Sequence, residues 1–262
     1  MNKQRVIFED LGIINYKSAW DYQEQLVKKN LAIKAEVRKG AANEPSATNP
    51  EPSTLNLQPS TLNPEPSTLN LQPPTLNHLL FCEHPPVYTL GKSGRMENVL
   101  VSENEMEERE IEFFRTNRGG DITFHGLQQV VGYPILDLEK FYTDIGKYLR
   151  SLEEVIILTI AEYGIKGERS KGETGVWIQP GIPGSERKIC AMGIRCSRWI
   201  TMHGFALNVN TDLSYFDNII PCGIVNKQVT SVEKETGHKI DFIGIKGRLR
   251  KNFAKVFDVE II

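Results

Sequence analysis

The stretch KICAMGIRCSRWITMHGFALNV, from Lys188 to Val209, reads as two strands, Ile189 to Arg195 and Met202 to Val209, with only a short break between them. Gly175 to Ile178 has the same strand-like composition just upstream. Toward the amino terminus the series continues through Val130 to Leu136, Phe113 to Arg115, Val87 to Leu90, Leu79 to Cys82 and a short strand at Val6 to Phe8. Several of these strands follow one another without an intervening helix. That order implies a mixed, largely antiparallel sheet, and so an α+β layer fold rather than a doubly wound one. Three helices flank it. Trp20, Val27 and Leu31 recur at helical spacing after Tyr16; Tyr142, Ile145, Leu149, Leu152, Ile156 and Ile160 share one face; and Leu249, Phe253, Val256 and Phe257 mark the last helix.

The first helix gives way near Gly40, and residues 43–77 are built differently. A seven-residue unit begins at Pro52, Pro59, Pro66 and Pro73, each copy running Pro, Ser or Pro, Thr, Leu, Asn. A heptad raises the question of a coiled coil, but a proline in every unit removes a backbone donor and blocks helix continuation. With about one leucine per unit the segment cannot bury enough apolar area to offset its ordering entropy, so a disordered, partly polyproline-like insert is expected. The remainder of residues 1–262 reads as one domain.

With 262 residues, 40% of them hydrophobic, the chain can bury a sizeable core. Lys and Arg total 31 against 33 Asp and Glu, so the net charge of -2 gives no sign of a nucleic acid or anionic membrane partner. Met1 to Asp10 lacks the apolar core of a secretory signal, and no stretch approaches the roughly eighteen apolar residues of a membrane span. A cytoplasmic protein is expected. Cys82, Cys190, Cys196 and Cys222 include no C-x-x-C pair, which speaks against a disulfide framework or a zinc ribbon.

Three segments can carry chemistry. Arg118, Gly119, Gly120, Asp121, Ile122, Thr123, Phe124, His125, Gly126 sets three glycines among charged and aromatic groups, either as a glycine-rich hairpin or as a backbone that approaches a ligand closely. Lys188 leads an apolar run, either as a solvated strand end or as a functional amine. Cys222 lies between Pro221 and Gly223, in a turn that can expose a nucleophilic thiol, although most lone cysteines are buried small hydrophobes.

Taken in order, these segments resemble the lipoyl(octanoyl) transferase family, together with Cys82, Glu83, His84, Pro85, Pro86, Val87, Tyr88, Thr89, Leu90, Gly91 and with Gly175, Val176, Trp177, Ile178. The resemblance covers nearly the whole chain outside the repeat. It implies the fold of the biotin protein ligase and lipoate ligase catalytic domain. It also implies a nucleophile at Cys222, a catalytic lysine at Lys188, and pocket histidines at His125 and His203. Substrate-binding positions fall on Arg118, Gly119, Gly120, Asp121, Thr123, Phe124, His125 and Gly126, on Ala191, Met192 and Gly193, and on His203, Gly204, Phe205 and Ala206. The partners implied are octanoyl-acyl carrier protein as donor, and as acceptors the lipoyl domains of 2-oxoacid dehydrogenases and the glycine cleavage H protein. No cofactor is implied.

Three rivals remain at this level. An ATP-dependent lipoate or biotin ligase shares the fold but needs no cysteine. A non-catalytic protein could bind acyl carrier protein or lipoyl domains. A zinc site from His125, His203 and Cys222 follows no metal-ligand spacing. The sequence also departs from the family in one place. After Gly126 the family continues with proline, glycine and glutamine, whereas here stand Leu127, Gln128 and Gln129. If position 128 has φ > 0, a side chain there costs about 1 kcal/mol.

Overall fold

The computed structural model describes residues 3–42, 74–220 and 228–262. Cys222 and most of the proline repeat lie outside the described residues.

The first part of the chain contains β1 (Gln4–Ile13), α1 (Tyr16–Ala42), β2 (Asn77–Glu83), β3 (Val87–Leu90), α2 (Glu103–Glu108), β4 (Glu112–Arg115), β5 (Ile122–His125) and β6 (Gln129–Ile135). There follow α3 (Ile145–Ala161), β7 (Val176–Ile178), β8 (Arg187–Ser197), β9 (Ile200–Asn208), β10 (Gln228–Val229), α4 (Val232–Thr236), α5 (Phe242–Phe257) and β11 (Val259–Ile261). The large sheet runs β10-β8-β9-β6-β2-β1-β11, with β7 also paired to β8. Its four central or flanking pairs, β2 with β6, β6 with β9, β9 with β8 and β8 with β7, are antiparallel. Within this sheet, parallel pairing is confined to β1 with β2, β1 with β11 and β8 with β10. The mixed, largely antiparallel sheet expected from the strand order is therefore present. A small sheet, β4-β3-β5, stands beside it.

The strands bury both faces, and the two-residue period decides which side chain goes where. Leu79 and Phe81 of β2, Val130 of β6, and Phe205 and Leu207 of β9 join the core beneath α3 and α5. Their neighbours Leu80, Cys82, Val131, Tyr133, Met202 and Ala206 pack on the opposite face against Ala19, Leu26 and Val27 of α1. The result is three layers, with α1 on one face of the sheet and α3 and α5 on the other. Among the described residues, no helix is long and apolar enough to cross a membrane.

The structure differs from the sequence reading in three places. The third helix begins at Ile145 rather than Tyr142, because the Asp144 carboxylate accepts the Lys147 N–H at 2.9 Å and caps it. Residues 118–126 contain a true strand, β5, which pairs antiparallel with β3. The end of the 43–77 segment is packed: Asn77 opens β2, Thr75 donates to the buried Asp137, and Leu76 exchanges two hydrogen bonds with Asn30. Residues 75–77, assigned to the insert in the sequence reading, are therefore anchored to the fold.

Candidate active site

A cavity of about 840 Å³ of empty space, open solvent at its mouth included, lies where the small sheet meets β8 and β9. Lys188, Ala191, Met192 and Gly193 from β8 line it, as do His203, Gly204, Phe205 and Ala206 from β9. Arg118, Gly120, Asp121, Thr123 and His125 come from the loop before β5 and from β5 itself. Thirteen of the positions singled out in the sequence thus meet around one space. Gly119, Phe124 and Gly126 do not line it. Alternation along β5 sends Phe124 away into the small sheet's core, where it stacks on Tyr215 at 4.5 Å between ring centres. That ring also occupies the place a Gly126 Cβ would take, at 2.5 Å, while the Gly119 N–H is bonded to Ile194 O.

The approach of the glycine loop to β8 explains two glycines. A Cβ on Gly193 would stand 2.6 Å from Gly119 O, and Gly120 has φ +86°, a conformation that disfavours any side chain. Arg118 folds over this junction, donating from Nη2 to Thr89 O and Thr89 Oγ1 and from Nη1 to Gly119 O.

Thr89 links Arg118 to a buried polar chain across the cavity floor. Gln129 Nε2 donates to Phe124 O and to Asn208 Oδ1 at 2.8 Å, so its Oε1 is the end that faces His125 Nδ1 at 2.9 Å. His125 Nδ1 must then carry the hydrogen, which leaves Nε2 to accept from the Thr89 hydroxyl at 3.3 Å. Burial, with His84 and Arg118 nearby, holds His125 well below the usual histidine range, so it is neutral. Asn208 continues the chain to Thr230 O at 3.0 Å.

His203 is also neutral, pushed down to about 3 by burial and then by Arg118 and Arg195. Its backbone N–H donates to Gln23 Oε1 at 3.0 Å, and its ring Nε2 lies 2.7 Å from Asn117 Oδ1. Lys188 is half-buried. Its Nζ lies 4.5 Å from the centre of the Trp177 ring, and its carbonyl accepts from Thr230 N at 2.9 Å. The turn behind it is fixed by the fully buried Glu153, whose Oε1 accepts Gly175 N–H at 3.0 Å while Oε2 binds Arg150 and Arg169. The three described cysteines are poor nucleophiles, because burial pushes the thiols of Cys82, Cys190 and Cys196 up.

The sequence reading missed Gln23, Thr89, Asn117, Gln129 and Asn208 as parts of this arrangement, and Tyr16, Val131, Tyr133 and Phe216 as apolar lining. Tyr16 stands out, since its ring stacks on His125 at 6.0 Å. Its only sequence signal was an apolar residue at the start of a helix.

Residues 66–254 match the lipoyl protein ligase A/B catalytic domain. An octanoyltransferase from Christiangramia forsetii is 51% identical over 262 residues, covering 100% of this chain and 99% of that protein. One from Flavobacterium johnsoniae is 51% identical over 263 residues, covering 100% of both. The chain belongs to the octanoyltransferase family. Solved structures extend the likeness to the fold alone. A bipartite lipoate protein ligase from Thermoplasma acidophilum aligns with a TM-score of 0.62 at 14% identity, over 100% of this chain and 86% of that one. The lipoate complex of P. falciparum LipL1 aligns with a TM-score of 0.59 at 11% identity, over 98% and 65%. The lining described above is the candidate active site, in which Lys188 shares a hollow with Val131, Met192, Phe205 and Phe216.

Proposed function

We propose that this protein transfers an octanoyl group from the thioester of acyl carrier protein to a lysine of a lipoyl domain, through a thioester on Cys222. The observation that carries this reading is the meeting of Lys188 with an apolar-walled cavity in a chain whose full-length relatives are named octanoyltransferase. Cys222 is favoured as nucleophile because the other three thiols are held protonated by burial.

In the first half-reaction the Cys222 sulfur bonds to the octanoyl carbonyl carbon, the bond to the pantetheine sulfur breaks, and Lys188 gives that sulfur a proton. In the second, the lysine amine of the lipoyl domain bonds to the same carbon, Cys222 leaves, and Lys188 takes the proton the amine sheds. Such acid and base assistance contributes on the order of 10²- to 10⁴-fold. One thioester is spent and one amide formed, so the reaction needs no adenylate. Burying roughly six methylenes of the tail at about 0.8 kcal/mol each favours binding by at most about 5 kcal/mol. Selectivity against a chain one methylene shorter is then modest, about 1 to 3 kcal/mol. On this reading the protein acts in the cytoplasm, in keeping with described residues that include no helix long and apolar enough to cross a membrane.

The test is intact-mass measurement after exposure to octanoyl carrier protein without ATP. An octanoyl adduct is expected on the unaltered protein and on Cys190→Ala and Cys196→Ala, and none on Cys222→Ala. An adduct that persists in Cys222→Ala would move the nucleophile elsewhere, and an absolute need for ATP would favour the ligase reading.

A further inference from the structure

Lys188 reaches the cavity because β8 breaks its alternation beside it. Trp177 lies opposite Lys188, but Val176, the next residue back along β7, lies opposite Cys190, so Ile189 is the extra residue of a bulge. A regular strand would send Lys188 to the same face as Cys190, beneath α3. Instead Ile189 and Cys190 both enter the core beneath α3, while Lys188 and Ala191 both line the cavity. The entry of β7 is pressed against this bulge. Gly175 stands at φ +105°, and a Cβ there would meet Cys190 O at 2.4 Å and Lys188 Cε at 3.7 Å. Its N–H donates to Oε1 of Glu153, on α3, at 3.0 Å. Oε2 of the same carboxylate accepts from Arg169 Nε at 3.1 Å, and Glu168 beside it bridges to Trp177. One fully buried carboxylate thus ties both ends of residues 169–175 to α3.

Taking a carboxylate out of water is costly even when it is paired, so such a cluster is a poor device for stability alone. Resting on the acyl-transfer reading above, we infer that Glu153 is a positioning residue: through the Gly175 N–H it fixes the bulge in β8 and so holds the Lys188 amine in the cavity. Glu153 does not line the cavity and acts only through the backbone of β7. Thr174, next to Gly175, does line it, so the same anchor also sets a piece of the wall beside the amine. Bulges next to reacting groups serve to re-aim a side chain, and here the re-aimed side chain is the lysine.

Two measurements on the full chain test this. One is the rate at which trinitrobenzenesulfonate modifies Lys188, read by peptide mass; the other is kcat and KM for transfer from octanoyl carrier protein to a purified lipoyl domain. Glu153→Leu keeps the bulk of the side chain, and Arg150 and Arg169, which both reach solvent, can turn outward. In that variant modification of Lys188 should quicken at least about threefold, because the segment covering its stem is released. The kcat should fall about tenfold or more while KM for the carrier protein stays within about twofold, as expected when a reacting group is misplaced and binding is kept. Glu153→Gln retains an oxygen for the Gly175 N–H and should recover both measurements to within about threefold of the unaltered protein. Arg169→Ala loosens one end of the segment, should fall between the two, and carries the test if Glu153→Leu does not fold. Modification of Lys188 at the unaltered rate overturns the inference whatever happens to Tm, for Glu153 would then serve stability alone. A Gln variant as impaired as the Leu variant also overturns it, since the bond to Gly175 would not be what matters. Faster modification with kcat unchanged would uphold the positioning and overturn instead the role given to Lys188 in transfer.

Discussion

Lys188 and Trp177 face each other directly across β7 and β8, and the Lys188 Nζ lies 4.5 Å from the centre of the indole ring. A cation at that distance from an aromatic face gains about 0.5 to 2 kcal/mol, most from tryptophan. Trp177 is itself held from behind by paired backbone hydrogen bonds to Glu168, of 2.8 and 2.9 Å. We expect Trp177→Phe to keep kcat/KM for octanoyl transfer within about threefold and Trp177→Leu to lower it about tenfold further, because only phenylalanine retains a face. Equal losses in the two variants, at equal Tm, would mean that the ring serves packing alone.

Lys188→Ala should slow octanoyl transfer at least about a hundredfold, the usual scale for losing a general acid and base. The pH profile of Cys222 alkylation should move to higher pH, since a nearby ammonium favours thiolate. Lys188→Arg should not rescue, because a guanidinium does not give up its proton at neutral pH. An alkylation profile in Lys188→Ala that matches the unaltered protein removes the lysine from the thiol's surroundings.

Acid should destabilise the protein through its buried imidazoles. His203 is pushed down to about 3 and His84 to about 4, both chiefly by burial, and His125 is held below its usual range for the same reason. Between the ordinary histidine value and those folded values the unfolded chain binds protons that the folded one refuses. Stability therefore rises with pH through that window and falls as pH drops from about 6.5 toward 4, by roughly 1.4 kcal/mol per pH unit for each such histidine. Urea unfolding at several pH values measures the slope, and His203→Asn should lower it by about one proton. An unchanged slope would show that His203 is protonated in the fold.

Gln128 does have φ +60°, so the family's glycine position is occupied by a side chain under strain. The loop is nevertheless pinned. Gln128 N–H donates to Glu83 Oε2 at 2.7 Å, and its carbonyl accepts from Val209 N, Asn210 N and Thr211 Oγ1. Its Oε1 also accepts from Asn210 Nδ2 at 2.8 Å, which offsets the strain with about 1 kcal/mol of hydrogen bonding. Leu127→Pro with Gln128→Gly should therefore leave Cys222 acylation within about twofold and shift unfolding free energy by less than about 1 kcal/mol. A severalfold faster acylation would show the loop to be misplaced.

Deleting residues 47–73 should leave activity and Tm nearly unchanged, because closing a shorter loop changes the entropy only logarithmically. Carrying the deletion through Asn77 should cost roughly 2 kcal/mol or more. It removes the Thr75 bond to Asp137, the Leu76 pair with Asn30 and the first residue of β2, beside the buried Lys34–Asp137 ion pair. Equal Tm values for the two deletions would mean that this anchor carries no weight.

The mixed, largely antiparallel sheet and the α+β class were legible in the chain itself. Apolar runs such as Leu79 to Cys82 and Val130 to Leu136, and the helical period ending at Phe257, are local signals, and burial on both sheet faces follows from them with a period of two. The motif residues from Arg118 to His125 and from Lys188 to Ala206 were also legible, as a family resemblance rather than as geometry. The tertiary structure decided what those residues can do. Lys188, equally readable as a solvated strand end, is set between Trp177 on one neighbouring strand and Val229 on the other. Phe124, within the same motif as His125, turns away from the cavity because adjacent strand residues point to opposite faces. The ring of His203 meets Asn117, 86 positions away, and its backbone N–H meets Gln23, 180 positions away. No local period encodes such pairings, since a buried polar group finds its partner only after the sheet has brought distant segments together.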